Sequence, residues 1–371
     1  MAKVLVTAHL GRHFRIFGHY DYQVLLDLGH EVHIAANFKA ELDHFEDERV
    51  IKHQVDFERN PYHLGNFKAL KQLKKLFKNN NYNIIHTQSP SGGVVTRLAA
   101  RKTRKTGTKV IYTAHGYHFF QGAGFKNWLI YFNIEKILGI FSDEIITINT
   151  EDYNNTKRLI PKVKAHLING VGIDLIKFNY KNKINKSELR ETFGFYKEDL
   201  ILIFVGELSK RKNQKVLIES VSKIKKEIPN IRLLLVGTGD KKNEYEKRIK
   251  ELGLQNEVIL MGYRTDVSNL LAISDILVSA SKQEGLPLNV MEGMAMGLPL
   301  VVSNCRGNRD LVDGNGFIVE VDDSEKFAKR IVEIYKSELK AKMGEKSLEN
   351  VNLYSRDVVS LQMKKIYRAS L

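Results

Sequence analysis

Short apolar runs rich in Val and Ile, alternating along the chain with longer stretches of helical periodicity, constrain this sequence more than any other feature. Such alternation marks βαβ units. One series reads KVLVTA, EVHIAA, NIIHTQ, KVIYTAH and EIITIN within residues 3–149; a second reads LILIFVG, IRLLLVG, EVILMG, DILVSA and LPLVVSN within residues 200–304. Two parallel sheets, each covered by helices on both faces, are expected. The 371 residues suit two domains of ordinary size. Residues 177–199, KFNYKNKINKSELRETFGFYKED, are polar and lysine-rich and read as a linker plus the first helix of the second domain. The expected domains are therefore 1–178 and 179–354. A last helix at 355–371, with Val358, Leu361, Met363 and Ile366 as its apolar face, is expected to pack back on the first.

Composition narrows the class. The single cysteine, Cys305, excludes a disulfide framework and a cysteine-rich metal site and fits a cytoplasmic setting. The opening MAKVLVTAHLGRHF reads as a strand rather than an export signal, and the longest apolar candidate, 127–141, is broken by Glu135 and Lys136. The net charge of +15 is uneven: residues 51–126 hold fourteen Lys or Arg against Asp56 and Glu58, a balance of +12. Such a patch can meet nucleic acid, an anionic membrane or phosphorylated ligands, or simply confer solubility. No base-stacking sheet face or recognition-helix module accompanies it, so nucleic acid is not expected as a partner.

In open α/β sheets ligands sit beyond the carboxyl ends of the strands, so a cleft between two such domains is the default site. After DILVSA comes SKQEGLPLNVMEGMAMGLPLVVSN, in which Glu284 and Glu292 are the only charges between Lys282 and Arg306. Carboxylates enter such apolar company with a partner. Pro287 marks a helix start, which turns free N–H groups toward whatever lies beyond Gly285. Asn289 and Glu292 share a helix face, where Glu292 can accept the two hydroxyls of a ribose or pair with a Lys or Arg of another helix. Glu284 can accept sugar hydroxyls or favour the helix N-terminus by its charge. After LILIFVG, the run Gly206, Lys210, Arg211 and Lys212 can neutralise a diphosphate or remain a solvated loop. Gly237, and Gly262 with Tyr263 and Arg264, end two further strands where backbone can approach a nucleobase or a phosphate closely. His9, His13, His115 and His118 lack a carboxylate or cysteine at ligand spacing, so they read as a polar wall and no metal is expected.

Taken together, EGLPLNVMEGMAMGLPLVVS, GELSKRKN, GYRTDV and INGVGIDLIKF resemble the family 4 retaining glycosyltransferases, over nearly the whole chain. The resemblance implies the GT-B fold, two Rossmann-like doubly wound α/β domains facing each other across a cleft, and catalysis without a metal cofactor. It places Lys212 on the donor diphosphate, Glu292 on the nucleotide ribose, and Glu284 with Gly285, Leu286 and Pro287 on the transferred sugar. His115 matches the histidine near the reacting centre. Gly11 matches the N-terminal turn under the phosphates, although many relatives carry a glycine pair there. Gly206, Gly237, Tyr263 and Arg264 line the donor side. Glu207 stands where many members have arginine, which leaves open whether Lys210 or Arg211 supplies the second cation. The implied reaction moves a hexose or N-acetylhexosamine from a nucleotide sugar, UDP-linked by family frequency, to a saccharide on a polyprenyl diphosphate, in bacterial surface polysaccharide synthesis. The basic patch, FKALKQLKKLFK and YHFFQGAGFKNWLIYF would then meet an anionic membrane at its inner face, unless these helices simply pack in the core. Another enzyme on this fold, a nucleotide-sugar epimerase or a phosphorylase, is the alternative.

Overall fold

The computed structural model describes residues 1–178 and 185–371. The chain divides into two compact units, Met1–Gly172 with Arg356–Leu371, and Ile173–Ser355. The change-over therefore falls ahead of the expected 178/179. Ile173 already belongs to the second unit, because its N–H donates to the Tyr354 carbonyl at 2.8 Å and it bridges to Ser355. Residues 179–184 of the expected linker lie outside the described residues. From Asn185, whose side chain caps the helix Lys186–Thr192, the chain reads as anticipated.

The first unit carries a seven-stranded parallel sheet: β1 (Lys3–Leu10), β2 (Glu31–Asn37), β3 (Ile51–Gln54), β4 (Ile84–Gln88), β5 (Lys109–Ala114), β6 (Glu144–Thr147) and β7 (Lys164–Leu167), in the order β3-β2-β1-β4-β5-β6-β7. The five apolar runs became β1, β2, β4, β5 and β6. The two strands that the pattern misses, IKHQ and KAHL, are the edges. An edge strand keeps one side in water and carries polar residues, so it lacks the run of a strand buried on both faces. Helix α1 (Asn66–Asn79) buries Ala69, Leu73 and Phe77 against Val95 and Ala99 of helix α2 (Pro90–Ala100). The apolar side of FKALKQLKKLFK is thus core, and only its lysines and Phe67 face water. YHFFQGAGFKNWLIYF divides: Tyr117 and Phe119 are buried, whereas Phe125, Leu129 and Ile130 are exposed on a helical stretch whose middle, Trp128–Phe132, is a π-turn. The C-terminal helix Arg356–Ser370 docks on this sheet through Tyr367 Oη to His86 Nδ1 at 2.7 Å and Ser370 Oγ to Glu144 Oε1 at 2.7 Å. It buries Val359, Met363, Ile366 and Tyr367, which corrects the expected face: Leu361 points to water.

The second unit carries a six-stranded parallel sheet of β8 (Leu200–Val205), β9 (Ile231–Val236), β10 (Val258–Gly262), β11 (Ile276–Ser279), β12 (Leu300–Ser303) and β13 (Gly316–Val319), in the order β10-β9-β8-β11-β12-β13. Again the unforeseen strand, GFIV, is an edge. Leu202, Phe204, Leu233, Leu235, Val278 and Val301 form one side of the core, against Val216, Leu217 and Val221 of helix α3 (Gln214–Ile224). Helix α4 (Leu288–Ala295) follows β11 and buries Val290, Met291 and Met294. Among the described residues no helix is long and apolar enough to cross a membrane.

Candidate functional site

Strand order reverses between β8 and β11, so the loops that leave these two strands diverge at a topological switch point. Both loops carry the charges singled out in the sequence, and the fold brings them together. Lys212 Nζ donates to Glu284 Oε1 at 2.6 Å, and the Arg211 guanidinium donates to Glu284 Oε2 at 3.3 Å and to the Gln283 carbonyl at 3.0 Å. Glu284 and Lys212 are each more than nine-tenths buried. A buried carboxylate of this kind needs its cation, because either charge alone would face the full cost of desolvation. Arg211 is the second cation on Glu284; Lys210 is exposed and makes no ion pair among the described residues. Pro287 is the N-cap of α4, with no side-chain cap; Val290 N–H turns back to the Pro287 carbonyl at 3.2 Å, which leaves Leu288 and Asn289 as the first-turn N–H groups without an intrahelical acceptor.

Glu292 is a carboxylate of a different kind. It lies one face-turn along α4 from Asn289, whose amide donates to the Val205 carbonyl at the end of β8 at 2.7 Å. Among the described residues the Glu292 carboxylate makes no ion pair and no hydrogen bond, so no helix-to-helix salt bridge accounts for it there. Burial pushes its carboxyl up to about 7, with the Lys177 ammonium acting weakly in the opposite direction. A half-buried acceptor with nothing to accept from is what a diol-bearing ligand would satisfy.

Glycines close the neighbouring strand ends. Gly237, at φ +136°, would place a Cβ 2.1 Å from the Gly206 carbonyl oxygen, and its N–H donates to Gly262 O at 2.8 Å. The ends of β8, β9 and β10 are thus stacked backbone on backbone, which any side chain at Gly237 would break. Beyond Gly262, Tyr263 is 79% exposed and Arg264 is held by Asp266 in a two-pronged ion pair. Neither bonds to the Lys212–Glu284 pair.

In the first unit, His115 follows β5. Its Nε2 lies 2.9 Å from Gln88 Oε1 and 3.3 Å from Tyr20 Oη. Gln88 Nε2 donates to the buried Asp21 carboxylate at 2.6 Å, which fixes Oε1 as the acceptor and so assigns the His115 proton to Nε2. Asp21 is also 3.1 Å from His13 Nε2. Burial, then the nearby imidazoles of His13 and His86, push the His115 pKa down to about 3, so the ring is neutral and its Nδ1 is an acceptor. Gly11 is buried; a Cβ there would meet the Asp43 carbonyl oxygen at 2.0 Å, so the first loop is packed under residues 38–43.

Several contributors had no signal in the sequence pattern. Arg306, 2% exposed, donates through Nε to the Glu284 carbonyl at 2.8 Å and holds the loop from behind. Gly307, at φ +77°, would place a Cβ 2.3 Å from Gly285 O. Asp322 accepts from Asn213 at 2.9 Å and from Lys282 at 2.7 Å, joining the two loops. A larger cavity, about 750 Å³, lies at the opposite end of the second sheet, lined by Lys186, Asp275 and Lys340. Those charges already pair with one another, so they offer a ligand little.

Residues 185–350 match the family model "Glycosyl transferases group 1", and residues 22–175 match "Glycosyltransferase Family 4". EpsD of Bacillus subtilis strain 168, named as an inferred glycosyltransferase, is 38% identical over 371 residues, 99% of this chain and 96% of its own. The UDP-Gal:alpha-D-GlcNAc-diphosphoundecaprenol alpha-1,3-galactosyltransferase of Escherichia coli is 31% identical over 284 residues, 74% of this chain and 72% of its own. The crystal structure of Anabaena HepE in complex with UDP and glucose superposes with a TM-score of 0.79 at 18% identity, covering all of both chains, and so shares the fold. The chain belongs to the group 1, family 4 glycosyltransferases and has the GT-B fold.

Proposed function

We propose that the chain transfers a hexose or N-acetylhexosamine, with retention at the anomeric carbon, from a UDP-sugar to a saccharide carried on a polyprenyl diphosphate, in surface polysaccharide synthesis. The observation that carries this reading is the buried Lys212–Glu284 pair with Arg211 beside it in the loops that lead to α4, on which Glu292 has no side-chain partner among the described residues. The names of the relatives agree with it: the Escherichia coli protein is named for a UDP-sugar donor and a diphosphoundecaprenol-linked acceptor.

In this reading the second unit binds the donor. Glu292 accepts the two ribose hydroxyls, and Lys212, Arg211 and the α4 N–H groups face the diphosphate. As the anomeric C–O bond breaks, its electron pair goes to the diphosphate, and these fixed positive groups stabilise the growing charge. Glu284, with the Gly285–Leu286 backbone, orients the sugar by its remaining lone pairs rather than attacking it. The acceptor hydroxyl then bonds to the anomeric carbon on the face that the diphosphate leaves, and its proton passes to the departing phosphate oxygen. This chemistry asks no metal of the protein. In the first unit, neutral His115 offers Nδ1 to a sugar hydroxyl. Exposed Phe125, Leu129, Ile130, Ile137 and Ile140, with Lys126 and Lys136 among them, suit attachment to an anionic membrane surface.

A screen of nucleotide sugars for thermal stabilisation, followed by transfer assays, tests the reading. The UDP-sugar that stabilises the wild-type protein should fail to stabilise Glu292→Ala; unchanged donor affinity in that variant overturns it. Product formed without an acceptor, or with inorganic phosphate alone, would replace transfer by epimerisation or phosphorolysis.

A further inference from the structure

A chain of hydrogen bonds runs from His115 through Gln88 to the fully buried carboxylate of Asp21. Its members come from separate parts of the first unit. His115 follows β5, Gln88 ends the neighbouring β4, and Tyr20 and Asp21 lead into the helix Tyr22–Asp27. Each bond has a direction, and an ionised carboxylate sets all of them, because it accepts and never donates.

Asp21 Oδ1 accepts from the Tyr22 N–H as the cap of that helix. Its Oδ2 accepts from Gln88 Nε2 at 2.6 Å and faces His13 Nε2 at 3.1 Å. The Gln88 amide cannot turn over, since its oxygen would then lie against the carboxylate. Gln88 Oε1 therefore points the other way, where it accepts the hydrogen of Tyr20 Oη and lies 2.9 Å from His115 Nε2. With the phenol hydrogen committed to Gln88, an unprotonated Nε2 would set lone pair against lone pair at that distance. The ring proton stays on Nε2, and the lone pair stays on Nδ1. His115 is half-buried, and among the described residues its Nδ1 has no hydrogen-bond partner. A nitrogen in that state welcomes a hydroxyl hydrogen and repels a group that can only accept.

We propose that Asp21 is a positioning residue: acting through Gln88, it keeps the proton of His115 on Nε2, so that the group seated against Nδ1 must be a hydrogen-bond donor. The placement of the proton is a property of the free protein. Its use in selecting a sugar hydroxyl rests on the place given to His115 under Proposed function.

Nitrogen–proton correlation spectra of the full-length protein with isotope-labelled histidine, at mildly alkaline pH, read the tautomer; the His115 signals are those lost in His115→Asn. In the wild-type protein Nε2 should carry the proton. Asp21→Asn keeps its oxygen on the Tyr22 N–H but offers Gln88 an N–H in place of a lone pair, so the amide turns over and the ring proton should move to Nδ1. Adding Gln88→Glu puts an acceptor-only group back beside the ring and should return the proton to Nε2. The second readout is kcat/KM for the UDP-sugar that the wild-type protein transfers, against derivatives in which fluorine, which cannot donate, replaces each hydroxyl in turn. One such derivative should be disfavoured about tenfold by the wild-type protein, the scale of one hydrogen bond, much less by Asp21→Asn, and again by the double variant. A proton on Nδ1 in the wild-type protein, or one that remains on Nε2 in Asp21→Asn, overturns the proposal. Equal discrimination by all three proteins after the proton has moved overturns the donor requirement. If the proton moves and returns as expected but the wild-type protein transfers no sugar, the positioning of His115 stands and the reading under Proposed function falls.

Discussion

Raising the pH from about 6 to about 8 should tighten nucleotide-sugar binding by about tenfold, and replacing Glu292 by Gln should abolish that dependence. Burial on α4 pushes the Glu292 carboxyl up to about 7. Two vicinal hydroxyls can both donate to a carboxylate, whereas the neutral acid has one oxygen that is itself a donor. At about pH 6 roughly one tenth of the molecules carry the ionised form, so a ligand that requires it binds about tenfold more weakly, or ~1.4 kcal/mol. At about pH 8 nearly all are ionised and the penalty vanishes. Stability moves the other way. A carboxyl raised in the folded state contributes stability that is complete below its ordinary value of 4.5 and fades as pH rises through about 7. The assay is isothermal titration of a nucleotide sugar in two buffers of different ionisation enthalpy. Its diphosphate is esterified at both ends and does not titrate in this window, so the proton released near neutrality is that of the protein. Wild-type affinity that stays flat across the window, or a slope that survives in Glu292→Gln, refutes the reasoning.

Lys212→Ala strands the buried Glu284 with Arg211 alone and should cost about 2–4 kcal/mol in urea unfolding; adding Glu284→Gln should recover most of that stability without restoring donor binding. Gly307→Ala forces a Cβ against Gly285 O at 2.3 Å from a left-handed backbone, so it should lower stability by about 1–3 kcal/mol and weaken donor binding by displacing the Glu284 loop. Burial pushes His86 down to about 4, so its neutral form contributes stability that is present above about 6.5 and is lost on acidification, by about 1 kcal/mol per pH unit; melting temperatures should fall between about pH 7 and pH 5, and less steeply in His86→Gln. Flotation with liposomes should require anionic lipid and weaken in high salt if the basic first unit attaches electrostatically; equal flotation with neutral lipid removes that account.

The central strands of both sheets were legible because a strand buried on both faces must be apolar throughout, and LILIFV or IRLLLV can hardly be anything else. IKHQ and KAHL were not, since each is an edge strand that answers to water on one side, and GFIV, four residues opened by a glycine, is too short to stand out. On the donor side, GELSKRKN and EGLPLNVMEG pointed to their loops because charge in apolar company is conspicuous. The buried network at His115 was not visible. Tyr20, Asp21 and Gln88 lie far apart in the chain from His115, and each is an ordinary residue until the sheet places β4 beside β5.

From the sequence alone one can derive two parallel α/β units, a helix beginning at Pro287, and two carboxylates with a cluster of cations at strand ends, because periodicity, proline and isolated charge are local properties. Only the tertiary structure decided what those carboxylates are. Glu284 is neutralised because strand order puts the loops after β8 and β11 side by side, and Lys212 and Arg211 reach it across that gap. Glu292, eight residues on in the same motif, lies on a helix face where no described residue pairs with its carboxylate, and burial pushes its pKa up. Pairing depends on which strands are neighbours, and that is fixed by the packing of the whole sheet rather than by any stretch of chain.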